Sequence, residues 1–301
     1  MYYDALRTFV AVVEEGNFTK AAEKRLISQP SVSVHIQNLE KEFDTSLFVR
    51  SPKQLQLTST GELLYERAKQ ILQIYDTAKE EIADHHHSIE LELKIGASFT
   101  IGEYVLPGLL EKLCKQYPGI RLEVIIGNTD EIIEHVKLFH VDIGLIEGQC
   151  NEKSLAVYPF MKDELKIVAS HHHPLSLKEM AVEQLQDQVW ISREKGSGTR
   201  VFLEHVLRSH ALKAKNMISI SSTHGVKEAV IRNMGLSLLS EYAISREVEN
   251  HHLSIIPIKD EVFIRKFSYI FSSFGRNKKA TETFIQLLNE NAPAARGNSE
   301  S

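Results

Sequence analysis

Two sets of residues in this sequence have types and spacings suited to chemistry, and both suit recognition rather than bond making. The first is Ser28-Gln29-Pro30-Ser31-Val32-Ser33-Val34 with Gln37, a run of hydroxyls and amides around one exposed branched methyl group. Amides and hydroxyls exchange hydrogen bonds with base edges in a DNA major groove, and an apolar group such as Val34 meets a thymine methyl. Arg50 and Lys53 follow in a basic turn suited to phosphates, and Thr19 completes this set. The second set is spread over four loops: Ala97-Ser98-Phe99-Thr100, Gly127-Asn128-Thr129, Glu147-Gly148 and Gly196-Ser197-Gly198-Thr199-Arg200. Hydroxyls, glycines and unpaired helix-terminal amides cradle small anions. The candidate contacts are Ser98, Thr100, Thr129, Glu147, Ser197, Gly198 and Thr199. Each loop alone is explained by ordinary helix capping; their shared position at strand ends points to a small polar ligand. Glu147 is the awkward member, since a carboxylate repels an anion, and Arg193 or Arg200 is expected to offset it.

No catalytic residue, cofactor or metal site is expected. GxSxG, HExxH and GxxxxGKS are all missing, and Gly196-Ser197-Gly198-Thr199 lacks the P-loop lysine. His85-His86-His87 and His171-His172-His173 tempt a metal reading, but consecutive histidines point in different directions. Cys114 and Cys150 have no CxxC companion and read as isolated thiols of a reducing cytoplasm rather than a redox pair.

The elements that must position these residues follow from periodicity. Ser28 is a good N-cap and Pro30 fits the first turn, where amide hydrogens are unpaired. Val32, Ile36, Leu39 and Phe43 then form one buried stripe, leaving Pro30, Ser31, Val34, Gln37, Asn38 and Lys41 on the opposite face. With the two-alanine helix before it, this is a helix-turn-helix over residues 1–61. Ser59 and Glu62 have capping-box spacing and should open a long helix over 62–88. Leu64, Ala68, Ile71, Tyr75, Ala78 and Ile82 alternate in steps of four and three, the pattern of a dimerising coiled-coil seam. An amphipathic helix lying on its own domain is the competing reading. From 91 to 293 short apolar runs alternate with helical stretches, which predicts mainly parallel sheets covered by helices.

Length and charge set the outer limits. The chain has 301 residues, 43% of them hydrophobic, so it is long enough for two or more domains. No apolar run reaches membrane-spanning length, and no signal peptide is visible, which predicts a cytoplasmic protein. The formal net charge of -5 does not announce nucleic-acid binding. Residues 1–60 carry seven basic and seven acidic side chains, so local distribution must supply the phosphate contacts.

These motifs also carry a resemblance. Phe18-Thr19-Lys20-Ala21-Ala22-Glu23, Ser28–Ser33, Ile36–Glu40, Leu47–Arg50 and the wing exit Leu55–Gly61 resemble the winged helix-turn-helix of LysR-type transcriptional regulators. Val34 departs from many relatives, which carry a longer polar or basic side chain there. The loops Gly96–Tyr104, Gly127–Glu131, Leu145–Gly148 and Arg193–Arg200 resemble the branch regulating sulfur assimilation and carbon fixation. The resemblance implies an α/β effector domain of two Rossmann-like subdomains, like a periplasmic binding protein. Subdomain I would span 91–160 plus 264–293 and subdomain II 161–263, with crossings near Pro159-Phe160 and Ile264. It further implies promoter DNA, a second copy of the chain (a dimer, then a dimer of dimers), a small effector and RNA polymerase as partners, in an activator of a metabolic operon. By resemblance to sulfur regulators, Ser98, Thr100 and Thr199 are the foremost contacts. A ligand-independent repressor or architectural DNA protein, or a DNA-tethered enzyme, are the alternatives.

Overall fold

A computed structural model of the chain describes residues 2–49, 55–84, 91–176, 178–272 and 279–290. Its N-terminal part opens with α1 (Tyr2–Glu15), α2 (Phe18–Arg25) and α3 (Gln29–Glu42). Asn17 caps α2 by accepting from the Thr19 and Lys20 amides, and Leu26 ends it in the left-handed region at φ 55°. Ser28 caps α3, with Pro30 in its first turn. A short antiparallel pair, β1 (Phe48–Val49) and β2 (Gln56–Leu57), leads into α4 (Ser59–Asp84). Phe9, Val12, Ala21, Val32, Ile36, Leu39 and Leu47 are buried together as the core of this part. Phe43 departs from the expected stripe: it is half exposed, because α3 ends at Glu42 and the chain turns at Asp44 through φ 47°.

Helix α4 divides its faces between two roles. Ala68 and Leu72 are buried in the helix-turn-helix core, with Leu64 and Tyr65 packed beside them. The Tyr75 ring packs against that of Tyr3 in a tilted arrangement, centroids 4.3 Å apart, and the Tyr3 hydroxyl donates to Asp76 Oδ1 at 2.9 Å. Ala68 is therefore withdrawn from the expected seam, because it is buried in the core that α4 shares with α1. Ile71, Ala78 and Ile82 of that seam are exposed, together with Leu63 and Ile74. The lower half of the seam thus follows the own-domain reading. The apolar surface left free is shifted around the helix.

Apart from Lys137–Phe139, which group with the N-terminal part, the remaining described residues form a second compact body. β3 (Glu92–Ser98), α5 (Leu106–Gln116), β4 (Arg121–Gly127), α6 (Thr129–Lys137) and β5 (Ile143–Glu147) build its first half, with β4 and β5 parallel to β3. β6 (Leu155–Ser170) leads out to β7 (Val189–Arg193), α7 (Gly198–Ser209), β8 (Asn216–Ile220), α8 (Thr223–Ile231), β9 (Ser237–Ser240), α9 (Glu241–Glu249) and β10 (Leu253–Ile255). β11 (Phe263–Ser272) returns, and α10 (Lys279–Glu290) closes the body. The described strands of the main sheet run β10-β6-β11-β5-β3-β4, with β9 also pairing β6, while β7 and β8 pair in parallel.

The sheets are less parallel than the sequence suggests. β6 and β11 are one long antiparallel pair, and β9, β10 and β5 join it antiparallel. One strand leaves the first half and the other returns, so they must run in opposite directions. Their register shifts between Phe267 and Ser268, opposite Phe160. Two separate cores flank this ribbon. One gathers Leu93, Ile95, Leu106, Leu145, Phe160, Phe267 and Phe284; the other gathers Leu165, Ile167, Trp190, Leu203, Leu238 and Phe263. Among the described residues no helix is long and apolar enough to cross a membrane.

Candidate functional site

In the N-terminal part, α3 presents the expected groups. Gln29, Pro30, Val34, Gln37, Asn38 and Lys41 are exposed, and Ser31 and Ser33 are partly so. The Gln29 side-chain amide donates to Ser33 Oγ at 3.3 Å, and Ser28 Oγ lies 2.8 Å from Ser31 Oγ. These groups hold one another in place while Gln29 stays exposed. Thr19 is exposed at the head of α2. Arg50 and Lys53 lie outside the described residues.

In the second body the four loops meet at one residue, Glu147, two of them at its carboxylate and two at its main-chain carbonyl. Glu147 ends β5 and is 2% exposed. Thr100, beyond β3, donates to Glu147 Oε2 at 2.9 Å, and Thr199, in the first turn of α7, donates to the same oxygen at 3.3 Å. Thr129 donates at 3.0 Å to the Glu147 main-chain carbonyl. Gly198 packs beneath that carbonyl so closely that a Cβ there would lie 2.2 Å from its oxygen. Gly196, at φ +87°, brings its carbonyl within 3.2 Å of the Asp130 amide. Loops from both cores thus converge on Glu147.

The balancing charge is Arg265, a residue sequence reasoning missed. Its guanidinium forms an ion pair with Glu147 Oε2 and donates from Nε to Asp163 Oδ2 at 2.7 Å. It also donates to Thr199 Oγ1 at 2.9 Å and Thr100 Oγ1 at 3.4 Å. Asp163 is fully buried and accepts from Ser240 Oγ at 2.6 Å. Burial lifts the Asp163 carboxyl above its ordinary range, against the pull of Arg265 and Ser240. Arg193 does not offset Glu147, because it holds Glu194 and Thr223 and lies over the Phe99 ring. Arg200 is committed to Glu204 and the Arg193 carbonyl.

A signal for Arg265 was present in the alternation of β11. Phe263, Arg265 and Phe267 share the inward phase while Ile264 and Lys266 point out. Asp163 likewise shares a phase with Leu165 and Ile167, directly across from Arg265 in the ladder. Opposite charges on facing inward positions are a pair in waiting.

Two further hydroxyls at this place are uncommitted. Ser98 Oγ and Ser197 Oγ are buried without a hydrogen-bond partner among the described residues. A buried hydroxyl left unpaired is costly and marks a place where a polar group fits. Asp163 also lines a cavity of about 880 Å³ with Tyr104, Lys227, Tyr242 and Glu247, which none of the four loops' hydroxyls reach. We assign the site to the loops, because their donors converge on Glu147, whereas the buried lysine of that cavity, Lys227, is already paired with Glu247. Among the described residues no group of three His, Cys, Asp or Glu side chains is arranged to hold a metal ion; His85–His87 lie outside them.

Comparison with known proteins matches both parts. Residues 3–62 match the bacterial regulatory helix-turn-helix protein, lysR family, and residues 86–293 match the LysR substrate binding domain. The chain is 55% identical over 292 residues to the HTH-type transcriptional regulator CysL of Bacillus subtilis, covering 97% of this chain and 98% of that protein. A solved CcmR regulatory domain from Synechocystis, in complex with 2-PG, is 25% identical with a TM-score of 0.63, covering 68% of this chain and 98% of that one. A full-length OxyR variant from Pseudomonas aeruginosa is 22% identical with a TM-score of 0.74, covering 96% and 94%, and shares the fold.

Proposed function

Because this chain belongs to the LysR-type transcriptional regulators, with their effector-binding domain, we propose that it activates a metabolic operon of the sulfur-assimilation kind in response to a small polar or anionic effector held by the four loops. The observation carrying this reading is that Thr100, Thr199 and Arg265 converge on one carboxylate beside two unpaired buried hydroxyls. The identity with CysL and the solved CcmR regulatory domain with its bound 2-PG support it. In this reading α3 enters the major groove, with Gln29, Pro30, Ser33 and Val34 near base edges and Thr19, Arg50 and Lys53 toward phosphates. Two chains join through the exposed part of α4 (Ile71, Ala78 and Ile82), and two dimers associate on a cytoplasmic promoter where RNA polymerase is recruited. An effector acts only by preferring one arrangement of the domain, since equal affinity for two states shifts nothing.

Ser98→Ala and Ser197→Ala test the site with little structural disturbance, because neither hydroxyl has a partner to lose. Titration of the full-length protein with sulfate, phosphate and small carboxylates should show binding that either change weakens about tenfold or more. Promoter binding without ligand should be unchanged. Full ligand affinity and full transcriptional response in both variants would remove these loops from consideration. A footprint that no candidate effector alters would favour the ligand-independent repressor.

A further inference from the structure

We infer that Glu147 is a tethered stand-in for the effector: its carboxylate occupies the donors that an anionic ligand must take, so binding is an exchange of one carboxylate or oxyanion for another. The inference rests on the four loops being the effector site. Three donors of the kind that recognises a small anion, two hydroxyls and a guanidinium, already end on Glu147 Oε2. They come from three separate segments, Thr100, Thr199 and Arg265, so the group they share gathers both cores around itself. A ligand placed there would do the same.

Charge argues for exchange over addition. The buried cluster holds one positive group, Arg265, against two acids, Glu147 and Asp163. An anion arriving beside a retained Glu147 meets a like charge near 4 Å, which at an effective dielectric of about 20 weakens binding by roughly a thousandfold. Exchange leaves the count unchanged, because the displaced Glu147 carboxylate swings out of the cluster to water as the ligand takes its donors. The exchange also requires little of the main chain, because Thr129 and Gly198 fix the Glu147 carbonyl and only its side chain needs to move. Ser98 and Ser197, unpaired while Glu147 is in place, supply two further donors, so the ligand class is an anion with more oxygens than a carboxylate presents at one point. The competitor sets a threshold: only a ligand that uses those added donors outcompetes a group held at very high effective concentration.

The test uses full-length wild type, Glu147→Gln and Glu147→Ala, with sodium sulfate, phosphate and acetate measured against sodium chloride at equal ionic strength. Glu147→Gln should bind sulfate or phosphate at least tenfold more tightly than wild type by calorimetry. Glu147→Ala should melt below wild type and recover by several degrees in acetate but not in chloride, the wild type responding less. If Glu147→Ala does not fold, the Gln variant carries the comparison alone. Binding to Glu147→Gln that is equal to or weaker than wild type, and sensitive to Ser98→Ala, would overturn the stand-in while leaving the loops as the effector site. No binding of any of these anions to wild type or variant would overturn both.

Discussion

At the scale of residues, Arg265 is the side chain on which the effector domain is balanced. It alone stands between two buried carboxylates, so Arg265→Met leaves Glu147 and Asp163 uncompensated. Breaking a buried pair in this way costs about 3–5 kcal/mol, which denaturant unfolding would read as a lower midpoint at unchanged slope. The pH dependence has a definite sign. Burial already raises the Asp163 carboxyl above 3.8, so its folded form binds the proton more tightly than the unfolded chain does. An acid raised on folding contributes stability while protonated, and loses it as pH rises from the ordinary value through the raised one. Without Arg265 the rise is larger. The variant should therefore recover part of its deficit as pH falls through the raised carboxylate value, and a deficit independent of pH would refute the assignment. Hydroxyl loops and a lone acid at a strand end are visible in a linear sequence, which is why Thr100, Thr199 and Glu147, brought together by the fold, are legible as candidates. Arg265 was missed because its partners are 66 to 165 positions away, and only the Phe263-Arg265-Phe267 alternation hints that it faces inward.

At the scale of elements, two predictions concern how α4 is seated on the helices before it. Glu14 of α1 accepts from Lys24 of α2 and Lys69 of α4, each at 3.2 Å. Burial raises its carboxyl, but Lys69 and Lys24 outweigh burial and hold it below 4.5. A lowered acid contributes stability above its ordinary value and loses it as pH falls through the folded one. Glu14→Gln should cost up to about 1 kcal/mol near neutrality, and its melting curve should converge on that of wild type as pH falls through the lowered carboxylate value. Parallel curves would show the pair to be idle. Gly61→Ala tests the junction sterically, since a Cβ there would lie 2.2 Å from the Leu47 carbonyl oxygen and 2.9 Å from Leu57 Cδ2. Displacing backbone at such a contact costs about 1–3 kcal/mol. Melting temperature and promoter affinity should fall together. The cap at Ser28 and the span of α3 follow from local signals, so they were legible. The sharing of α4 between its own core and a free face was not, because period-seven spacing is the same whether a stripe packs on a partner or at home.

At the scale of the whole molecule, assembly depends on the apolar residues that α4 leaves uncovered. Ile71 is 48% exposed, so Ile71→Glu should spare the fold while placing two carboxylates in any interface formed there. Sedimentation should show a monomer, and affinity for two-fold promoter sites should drop steeply because the linked half-site is lost. An unchanged assembly would exclude this face. The division into two cores has a further consequence for the order in which the chain is made. Every buried member of the second core, from Leu165 to Phe263, has left the ribosome before the first core can close. That first core begins at Leu93 yet waits for Phe267, Tyr269, Phe284 and Leu288 at the end of the chain. Domains fold as units during synthesis, so the half begun first is completed last. A nascent chain stalled just after emergence of Phe263 should protect Leu165–Phe263 from protease while Leu93–Leu145 is still cut. Until β11 and α10 are released, β5 lacks its antiparallel partner and the first core lacks Phe267 and Phe284.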